Sequence, residues 1–342
     1  MTLVADAKID RIVQGRGSVA MDGEEPGRSR PTLAVVVPCF DEELVIGQTL
    51  TQLTELLDDL IGRDKINPNS FIYPVDDGSR DRTWAIIQEH HARNRMVKGL
   101  KLARNVGTQN ALLAGLLGVK DRADCVVTID ADLQQDARII ETFLDAFREG
   151  AHIVYGVRRN HGSDSIAKRA TSSFFYTLMN AMGVRLTRHH SEYRLVSSKA
   201  LSAIAEYREY NLFLRGIFVD IGFPSVAVPF DVRRREAGTS KHSFRKLFSL
   251  ALDGITSFSV APLRVVTTVG VLIFIFSCVM TLFYLYEKLI GNTPPGWAGT
   301  VIPIYFLGGV QIVFLGLVGE YIGKIYKEVK GRPRYIKDEE LD

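Results

Sequence analysis

The chain has 342 residues, of which 46% are hydrophobic and 24% are charged, so it can bury a substantial core and is neither disordered nor collagen-like. Its 42 lysines and arginines nearly balance its 39 acidic residues, which argues against a nucleic-acid partner. Cys39, Cys125 and Cys278 are too few and too scattered for a disulfide framework, so we expect a reducing, cytoplasmic setting for the main domain.

The first part of the chain has the pattern of an α/β domain. Residues 1–30 contain no apolar targeting segment and are interpreted as a flexible tail. In residues 31–240, short β-branched runs alternate with helical patterns, which predicts an open, mainly parallel sheet with covering helices. The predicted strands are Leu33–Pro38, Ser70–Val75, Val97–Leu102, Cys125–Asp130 and His152–Val157. The predicted helices are Gly47–Leu60, Thr83–His91, Gln109–Val119 and Ala137–Glu149.

The last part of the chain is more apolar. Val265 to Tyr286 and Val301 to Val318 carry no charged residue, and each is long enough to cross a bilayer core of about 30 Å as a helix. They predict a transmembrane hairpin within residues 263–325, although a pair of buried helices in a soluble protein is the alternative. Residues 241–262 have apolar residues at roughly helical spacing and are interpreted as an interfacial amphipathic segment.

Positive charges flank this hairpin at both ends. Arg264 precedes the first span and Lys324 follows the second, each with further cations nearby, whereas the connecting loop offers only Lys288. Because cytoplasmic flanks are enriched in lysine and arginine, both ends of the hairpin are expected in the cytoplasm. Residues 326–342 are then a cytoplasmic tail, and the protein is expected to be a multi-pass protein of the inner (plasma) membrane.

Two carboxylates follow the predicted strand that ends near residue 130. Asp130 and Asp132 are one residue apart, so they project to the same side of an extended chain. Mg²⁺ and Mn²⁺ prefer oxygen ligands and commonly share one or two carboxylates with phosphate oxygens. The pair therefore indicates a divalent-metal site with a diphosphate partner, and Gln134 is a candidate third ligand. An isolated Asp-x-Asp is more often an acidic surface turn, and the other motifs outweigh that reading.

Acidic motifs also follow the first two predicted strands. Asp76 and Asp77 are suited to accept hydrogen bonds from a nucleobase or ribose, and alone they indicate only a turn. The segment from Pro38 to Glu43 combines a strand end, an aromatic side chain and acids, which either holds a base and ribose or starts a helix. Carboxyl ends of neighbouring parallel strands meet at one sheet edge, where such folds bind ligands.

These motifs, in this order, resemble the family 2 glycosyltransferases of GT-A fold, and in particular the polyprenyl-phosphate group that includes bactoprenol glucosyltransferases and dolichyl-phosphate mannose synthases. The resemblance is carried by Val35-Val-Val-Pro-Cys-Phe-Asp-Glu-Glu, Asp76-Asp-Gly-Ser-Arg-Asp-Arg-Thr, Ala103-Arg-Asn-Val-Gly-Thr-Gln-Asn-Ala and Asp130-Ala-Asp-Leu-Gln-Gln-Asp. Later segments fit too: Ser191-Glu-Tyr-Arg-Leu, Phe213-Leu-Arg-Gly, Arg235-Glu-Ala-Gly-Thr-Ser-Lys-His-Ser and Gly319-Glu-Tyr-Ile-Gly-Lys-Ile-Tyr. The chain departs from the family at Asp41, usually Asn, and at Glu192, often Asp.

The resemblance implies a Rossmann-like GT-A mixed sheet with helices on both faces and a metal-dependent hexosyltransferase activity. It implies nucleotide contacts by Pro38, Phe40, Glu42 and Asp77, and binding of metal and donor diphosphate by Asp130, Asp132 and Gln134. Arg104 and Lys241 are further expected donor-binding residues. Mg²⁺ or Mn²⁺ is the expected cofactor, and a nucleotide sugar, a polyprenyl phosphate and the membrane are the expected partners.

The acceptor phosphate is an anion, so its pocket should contain arginines and lysines. The candidates are Arg158, Lys168, Arg169 and Arg235. A phosphate oxygen is itself the nucleophile, so positioning and charge neutralisation should matter more than a general base. We expect inversion at the anomeric carbon, with Glu192 or Asp132 orienting the acceptor and Arg194 helping Arg158 to hold its phosphate.

Some alternatives remain open. A processive polysaccharide synthase usually has a Gln-x-x-Arg-Trp motif, and neither Trp84 nor Trp297 follows an arginine. A catalytically silent membrane scaffold is a second alternative, against which the intact Asp130, Asp132 and Gln134 argue. UDP-glucose is the first choice of donor, with GDP-mannose and UDP-linked amino sugars as alternatives. The glycine-rich second span and the resemblance favour a homo-oligomer.

Overall fold

The structure is a computed structural model that describes residues 30–132, 134–158, 190–210, 214–231, 261–290 and 296–342. It divides into two compact units. Within the described residues, one unit contains a sheet with its covering helices, and the other contains a C-terminal helical hairpin.

The described residues of the first unit form an eight-stranded mixed sheet. The strands are β1 (Leu33–Cys39), β2 (Phe71–Asp76), β3 (Gly99–Leu102), β4 (Cys125–Thr128), β5 (Ile153–Arg158), β6 (His190–Ser197), β7 (Ser225–Phe230) and β8 (Lys337–Leu341). Their order across the sheet is β7-β5-β6-β4-β1-β2-β3-β8. Strands β4, β1, β2 and β3 are parallel neighbours, and β6 runs antiparallel to both β4 and β5. The amino end of β6 therefore meets the carboxyl ends of β1, β2 and β4 at one sheet edge.

Helices cover both faces of this sheet. They are α1 (Ile46–Gly62), α2 (Thr83–Arg93), α3 (Thr108–Val119), α4 (Ile139–Arg148), α5 (Ser198–Ala205) and α6 (Leu214–Asp220). Helix α1 shows why they pack: its buried apolar residues recur every three or four positions, which makes one apolar face.

The core consists of two apolar clusters, one on each face of the sheet. Successive residues of β1 alternate between them: Val35 and Val37 join the cluster with α1 and α4, whereas Ala34 and Val36 join the cluster with α3 and α5. A strand covered on both faces is apolar throughout, which is why β1 has no polar residue along its length. The buried centre of the sheet thus adjoins the edge at which the acidic motifs follow the strands.

The expected mixed α/β sheet with helices on both faces is confirmed. The five predicted strands and four predicted helices correspond to β1–β5 and α1–α4, with ends that differ by a few residues. Strands β6, β7 and β8 and the short helices α5 and α6 were not predicted. The most unexpected of these is β8, which lies in the segment interpreted as a tail and pairs antiparallel with β3.

The second unit contains two long apolar helices, α7 (Ala261–Leu289) and α8 (Trp297–Val329). By length and composition each can span a membrane, with mean hydropathy of 2.2 over Pro262–Met280 and 1.6 over Phe306–Val329. Large apolar side chains such as Leu272 and Ile312 are exposed on them, at 61% and 73%. The predicted spans lie within these two helices. Residues 1–29 of the expected tail and 241–260 of the expected interfacial segment lie outside the described residues.

Candidate active site

The loops that follow β1 and β2 are fastened together by hydrogen bonds. The main-chain N–H groups of Asp41 and Glu42 donate to Ser79 Oγ and Thr83 Oγ1, at 3.0 and 2.9 Å. In return Arg80 N donates to Asp41 Oδ1 at 2.8 Å. Asp41 adopts a φ of 53°, a left-handed conformation that aspartate and asparagine tolerate better than most residues. This departure from the family's asparagine therefore keeps both the conformation and the hydrogen-bond acceptor.

The adjacent acids Asp76 and Asp77 have different surroundings. Both oxygens of Asp77 accept main-chain N–H groups, from Val106 at 2.8 Å and Gly107 at 2.9 Å, so this carboxylate holds the loop that leads into α3. Burial raises the pKa of Asp77, and these two hydrogen bonds oppose the rise. From the sequence, Asp77 was expected to contact the nucleotide. One accepted hydrogen bond per oxygen leaves a lone pair on each, so this contact stays a prediction.

Asp76 retains an open acceptor. Its Oδ1 accepts hydrogen bonds from the Ser79 main-chain N–H and hydroxyl. Its Oδ2 is buried and has no hydrogen-bond partner among the described residues. Burial raises the pKa of Asp76 despite the Ser79 hydrogen bonds. A buried carboxylate oxygen without a partner is costly, so a ligand N–H or O–H at this position would be stabilising.

Asp130 is held by its neighbour Gln135, which is 1% exposed. The Asp130 main-chain N–H donates to Gln135 Oε1 at 2.9 Å, and Gln135 Nε2 donates to Asp130 Oδ2. Burial raises the pKa of Asp130, and the nearby negative charges of Asp132 and Glu192 raise it further. A cation placed there would relieve this repulsion.

The candidate metal ligands form an oxygen-only set. Asp132 and Gln134 are half-buried, and Gln134 N donates to Asp132 Oδ1 at 3.2 Å. The described residues contain no group of three His, Cys, Asp or Glu side chains placed to hold a metal by themselves. Two carboxylates and one amide oxygen nevertheless fit Mg²⁺ or Mn²⁺, because these ions commonly complete their shell with phosphate and water. The set is thus suited to a metal shared with a diphosphate.

Glu192, near the start of β6, is the centre of an ion-pair network. Arg194 Nη2 donates to its Oε2 at 2.6 Å, Arg215 Nε donates to its Oε1 at 2.8 Å, and Gln109 Nε2 lies 3.4 Å from Oε1. Burial alone would raise the pKa of Glu192, but Arg194 and Arg215 outweigh it and the pKa is lowered. Glu192 is therefore held as a carboxylate with both oxygens engaged.

Arg194 is placed differently from what its predicted role requires. Its side chain is 1% exposed, and its guanidinium carbon lies 4.3 Å from the centre of the Phe218 ring. From the sequence, Arg194 was expected to help hold the acceptor phosphate. A guanidinium packed below Glu192 is not accessible to a substrate in this structure, so Arg194 supports Glu192 instead.

The remaining predicted site residues lie at or near this sheet edge. Phe40 is 39% exposed, Pro38 and Glu42 are half-buried, and Arg104 is exposed. Arg158 is exposed at the end of β5 and acts electrostatically on Asp130. The structure therefore brings together residues from β1, β2, β4, β5 and β6. The other four predicted residues lie outside the described residues: Lys168, Arg169, Arg235 and Lys241.

Three further residues of the site were not predicted from the sequence: Gln109, Gln135 and Arg215. Gln135 stands one position after the candidate ligand Gln134, and Arg215 lies in the Phe213-Leu-Arg-Gly segment that carried part of the family resemblance. Their sequence context was therefore a signal, but their contacts with Asp130 and Glu192 become visible only in the folded chain.

Comparison with known proteins agrees with the expected resemblance. The family model "Glycosyl transferase family 2" matches residues 34–217, and the model "GtrB C-terminal hairpin" matches residues 261–325. An uncharacterized glycosyltransferase of Bacillus subtilis is 50% identical over 92% of this chain and 93% of its own length. A prophage-derived bactoprenol glucosyl transferase of Shigella flexneri is 36% identical over 89% of this chain and 96% of its own length.

Similarity to solved structures is more distant. A mannosyltransferase from Pyrobaculum calidifontis, in complex with GDP-Man and Mn²⁺, is 17% identical with a TM-score of 0.47, over 75% of this chain and 70% of its own. The assignment therefore rests on the family models and the sequence relatives. On that basis the chain belongs to glycosyl transferase family 2, and its C-terminal helices are the hairpin of the GtrB type.

Proposed function

We propose that this glycosyltransferase moves a hexose, with glucose as the first choice, from a UDP-sugar to undecaprenyl phosphate at the cytoplasmic face of the membrane. The acceptor class is supported by the Shigella relatives, which are named bactoprenol glucosyl transferases and match across 89% of this chain. The apolar hairpin supports a membrane location, because a lipid acceptor has to be reached from the bilayer surface.

The observation that carries the donor assignment is the pair of carboxylates Asp76 and Asp77 at the end of β2. Asp76 Oδ2 has no hydrogen-bond partner among the described residues, and the exposed Phe40 follows the neighbouring strand β1. A nucleoside supplies both complements that this position lacks, namely a base for the aromatic ring and N–H or O–H donors for the carboxylate. We infer that this pair of carboxylates, Asp76 and Asp77, accepts the hydrogen bonds from the nucleotide.

Metal dependence is supported by the negative charge of the site. Asp130 and Asp132, with Gln134, would hold Mg²⁺ or Mn²⁺, which when bound would neutralise the diphosphate as it leaves. Gln135 keeps one Asp130 oxygen fixed by its hydrogen bond. The other parts of the site then have to place the acceptor phosphate opposite the leaving diphosphate.

The reaction needs little proton transfer. An oxygen of the acceptor phosphate attacks the anomeric carbon, the bond from that carbon to the diphosphate oxygen breaks, and the nucleoside diphosphate leaves with the bonding electrons. Attack from the opposite side inverts the configuration. Because both oxygens of Glu192 are engaged by arginines, Glu192 fits a positioning role better than that of a base. Arg158, exposed at the end of β5, is suited to bind a phosphate.

The test is transfer from labelled UDP and GDP sugars to undecaprenyl phosphate by the detergent-solubilised full chain, with Mg²⁺, Mn²⁺ or a chelator. We expect labelled lipid from one UDP-hexose and none with the chelator. Asp132→Asn should lower transfer by about 100-fold or more, since metal-assisted charge neutralisation supplies several kcal/mol. Asp58→Asn, at an exposed position of α1, is the matched control and should retain activity. Absence of transfer from every donor, or full activity of Asp132→Asn, would contradict the proposal.

A further inference from the structure

Arg215 is an exposed arginine that lies beside the site. It has no role in the reaction described above. It lies in the first turn of α6, its side chain is 45% exposed, and its Nε donates to Glu192 Oε1 at 2.8 Å. That contact uses one of the five N–H donors of a guanidinium, and the fork of terminal amino groups is not required for it. The contact with Glu192 thus fixes the Arg215 side chain in place, while its terminal amino groups offer N–H donors suited to an anion.

The first turn of α6 is fixed to the site by a second contact. Gln109, at the start of α3, accepts a hydrogen bond from Leu214 N through its Oε1 at 3.2 Å, and its Nε2 reaches toward Glu192. Below them, the buried Arg194 donates to the other oxygen of Glu192. Glu192 is therefore bound on both sides, so the Arg215 side chain attaches to a rigid support. An arginine that is already ordered loses less entropy when it binds a ligand.

Sheet order indicates which substrate Arg215 would meet. The residues suited to the nucleotide follow β1 and β2, whereas Glu192 lies on β6, on the opposite side of β4. The candidate metal ligands follow β4, between these two positions. If the nucleotide sugar extends from the β1–β2 side of the sheet to the metal, the β6 side remains for the lipid phosphate that accepts the sugar. Arg158, on β5, belongs to the same side, because β5 pairs with β6.

We infer that Arg215 binds the phosphate group of the acceptor, and that Glu192 is a positioning residue that presents Arg215 to it. This inference rests on the proposed function, whose acceptor is a lipid phosphate. A planar guanidinium can make two parallel hydrogen bonds to phosphate oxygens, which fixes orientation as well as charge. A phosphate monoester is already anionic near pH 7, so the arginine can bind it without any proton having to be removed from the nucleophilic oxygen.

Binding of farnesyl monophosphate to the detergent-solubilised full chain tests this directly. The titration is done by calorimetry with UDP and Mn²⁺ present, and UDP is titrated separately. We expect Arg215→Ala to weaken farnesyl phosphate binding by roughly 10- to 100-fold, the range for a hydrogen bond to a charged group, and to leave UDP affinity within about twofold. Arg215→Lys keeps the positive charge but loses the paired terminal amino groups. Its affinity for farnesyl phosphate should therefore lie between those of the wild type and Arg215→Ala.

A matched control is Arg63→Ala. Arg63 has similar exposure, at 44%, and also pairs with carboxylates, those of Asp59 and Glu141. It should not alter farnesyl phosphate affinity.

Glu192→Gln should weaken farnesyl phosphate binding as Arg215→Ala does. The double variant should bind no more weakly than Arg215→Ala alone, because the two residues act as one unit. Additive losses would overturn the positioning role of Glu192.

Two further outcomes would overturn the inference. Unchanged farnesyl phosphate affinity in Arg215→Ala would make Arg215 an ion-pair partner only, and weaker UDP binding with intact farnesyl phosphate binding would place it on the donor side. The proposed function is tested separately by sugar transfer. Suppose that Arg215→Ala weakens farnesyl phosphate binding but the wild-type chain transfers no sugar. That outcome would support the phosphate site and contradict the proposed function.

Discussion

Identical residue types at this sheet edge perform different tasks because of their immediate partners. Asp76 and Asp77 are adjacent in sequence, yet one keeps an open oxygen and the other caps a loop with both oxygens. Successive side chains of an extended segment point to opposite sides, so neighbours meet different surroundings. Gln134 and Gln135 show the same division, since the second holds Asp130 while the first remains available as a ligand.

Gln135→Leu should weaken metal binding without removing a ligand. Loss of the hydrogen bond to Asp130 Oδ2 frees that carboxylate to rotate, and loss of such supporting contacts typically costs 10- to 100-fold in metal affinity. The measurement is Mn²⁺ binding in the presence of UDP, followed by electron paramagnetic resonance of the free ion. Gln88→Leu is the control, because it also removes a hydrogen bond from a glutamine to a carboxylate, that of Glu339 in β8, which is not a candidate metal ligand. Equal Mn²⁺ affinity in the two variants would show that Gln135 does not position Asp130.

At the scale of elements, the site depends on how closely loops approach each other. Gly78, with a φ of +69°, lies against the loop that carries Arg104, and a Cβ there would stand 2.6 Å from the Arg104 carbonyl carbon. Because that contact is with main chain, a side chain at this position cannot simply rotate away. The turn after β2 and the loop before α3 therefore pack only if this residue has no side chain.

Gly78→Ala should destabilise the catalytic unit by about 1–3 kcal/mol, through the strained backbone and the displaced loop. Gly62→Ala is the control, since a Cβ there meets nothing within 4 Å at the end of α1. Thermal unfolding of both variants, with the wild type, gives the comparison. If Gly78→Ala unfolds at the same temperature as Gly62→Ala, the close approach is not a constraint in solution.

Strand β8 is attached to the sheet by its acidic side chains. Glu340 accepts hydrogen bonds from the Tyr73 hydroxyl and from Lys337, and Trp84 Nε1 donates to Glu339 at 2.9 Å. Burial alone would raise the pKa of Glu340, but the hydrogen bonds from Lys337 and Tyr73 outweigh it and the pKa is lowered. Glu340 therefore stabilises the fold most when it is ionised.

This lowered pKa predicts a pH-dependent effect of Glu340→Gln. The stability that ionised Glu340 supplies is fully present above its unfolded-state value of about 4.5 and is lost as pH falls through the lower folded-state value. At pH 7 the variant should be less stable by about 1 kcal/mol, and the difference should shrink progressively below that unfolded-state value. Thermal unfolding across this pH range checks it, with the exposed Glu55→Gln as control. A difference that is constant with pH would contradict the assignment.

At the scale of the whole molecule, the chain joins the sheet to an apolar helical hairpin, and the sheet is completed by residues that precede and follow this hairpin in the chain. Strand β8 follows α8 in the chain and pairs with β3, which precedes α7. Both flanks of the hairpin must therefore lie on the same side of the membrane if this sheet forms. The cations around Arg264 and after Lys324 favour the cytoplasmic side.

Cysteine labelling in intact cells tests this topology. In a Cys278→Ser background, Asn292→Cys, between α7 and α8 in the sequence, should react with a membrane-impermeant thiol reagent added outside. Asp338→Cys in β8 should react only after permeabilisation. The native Cys39 and Cys125 are buried and should remain unlabelled. Labelling of Asp338→Cys from outside would reverse the topology, and labelling of both sites from outside would contradict a membrane-spanning hairpin.

Local patterns in the sequence were enough to predict the family, the segments of strands β1–β5, the covering helices α1–α4 and the apolar hairpin. These features depend on local periodicity and on motifs that remain contiguous in the chain. The carboxylates Asp130 and Asp132 could be named as candidate metal ligands for the same reason, since both lie in one short segment.

Roles that depend on partners distant in the sequence become visible only in the folded chain. Arg215 meets Glu192 across 23 positions, Asp77 holds a loop about 30 residues further on, and the charged segment of β8 becomes a strand because β3 offers it a free edge beside Tyr73 and Trp84. A hydrogen bond of this kind leaves no periodic pattern in the sequence. It forms because the sheet brings the two groups within about 3 Å, where their complementary charges and donors outweigh the loss of water.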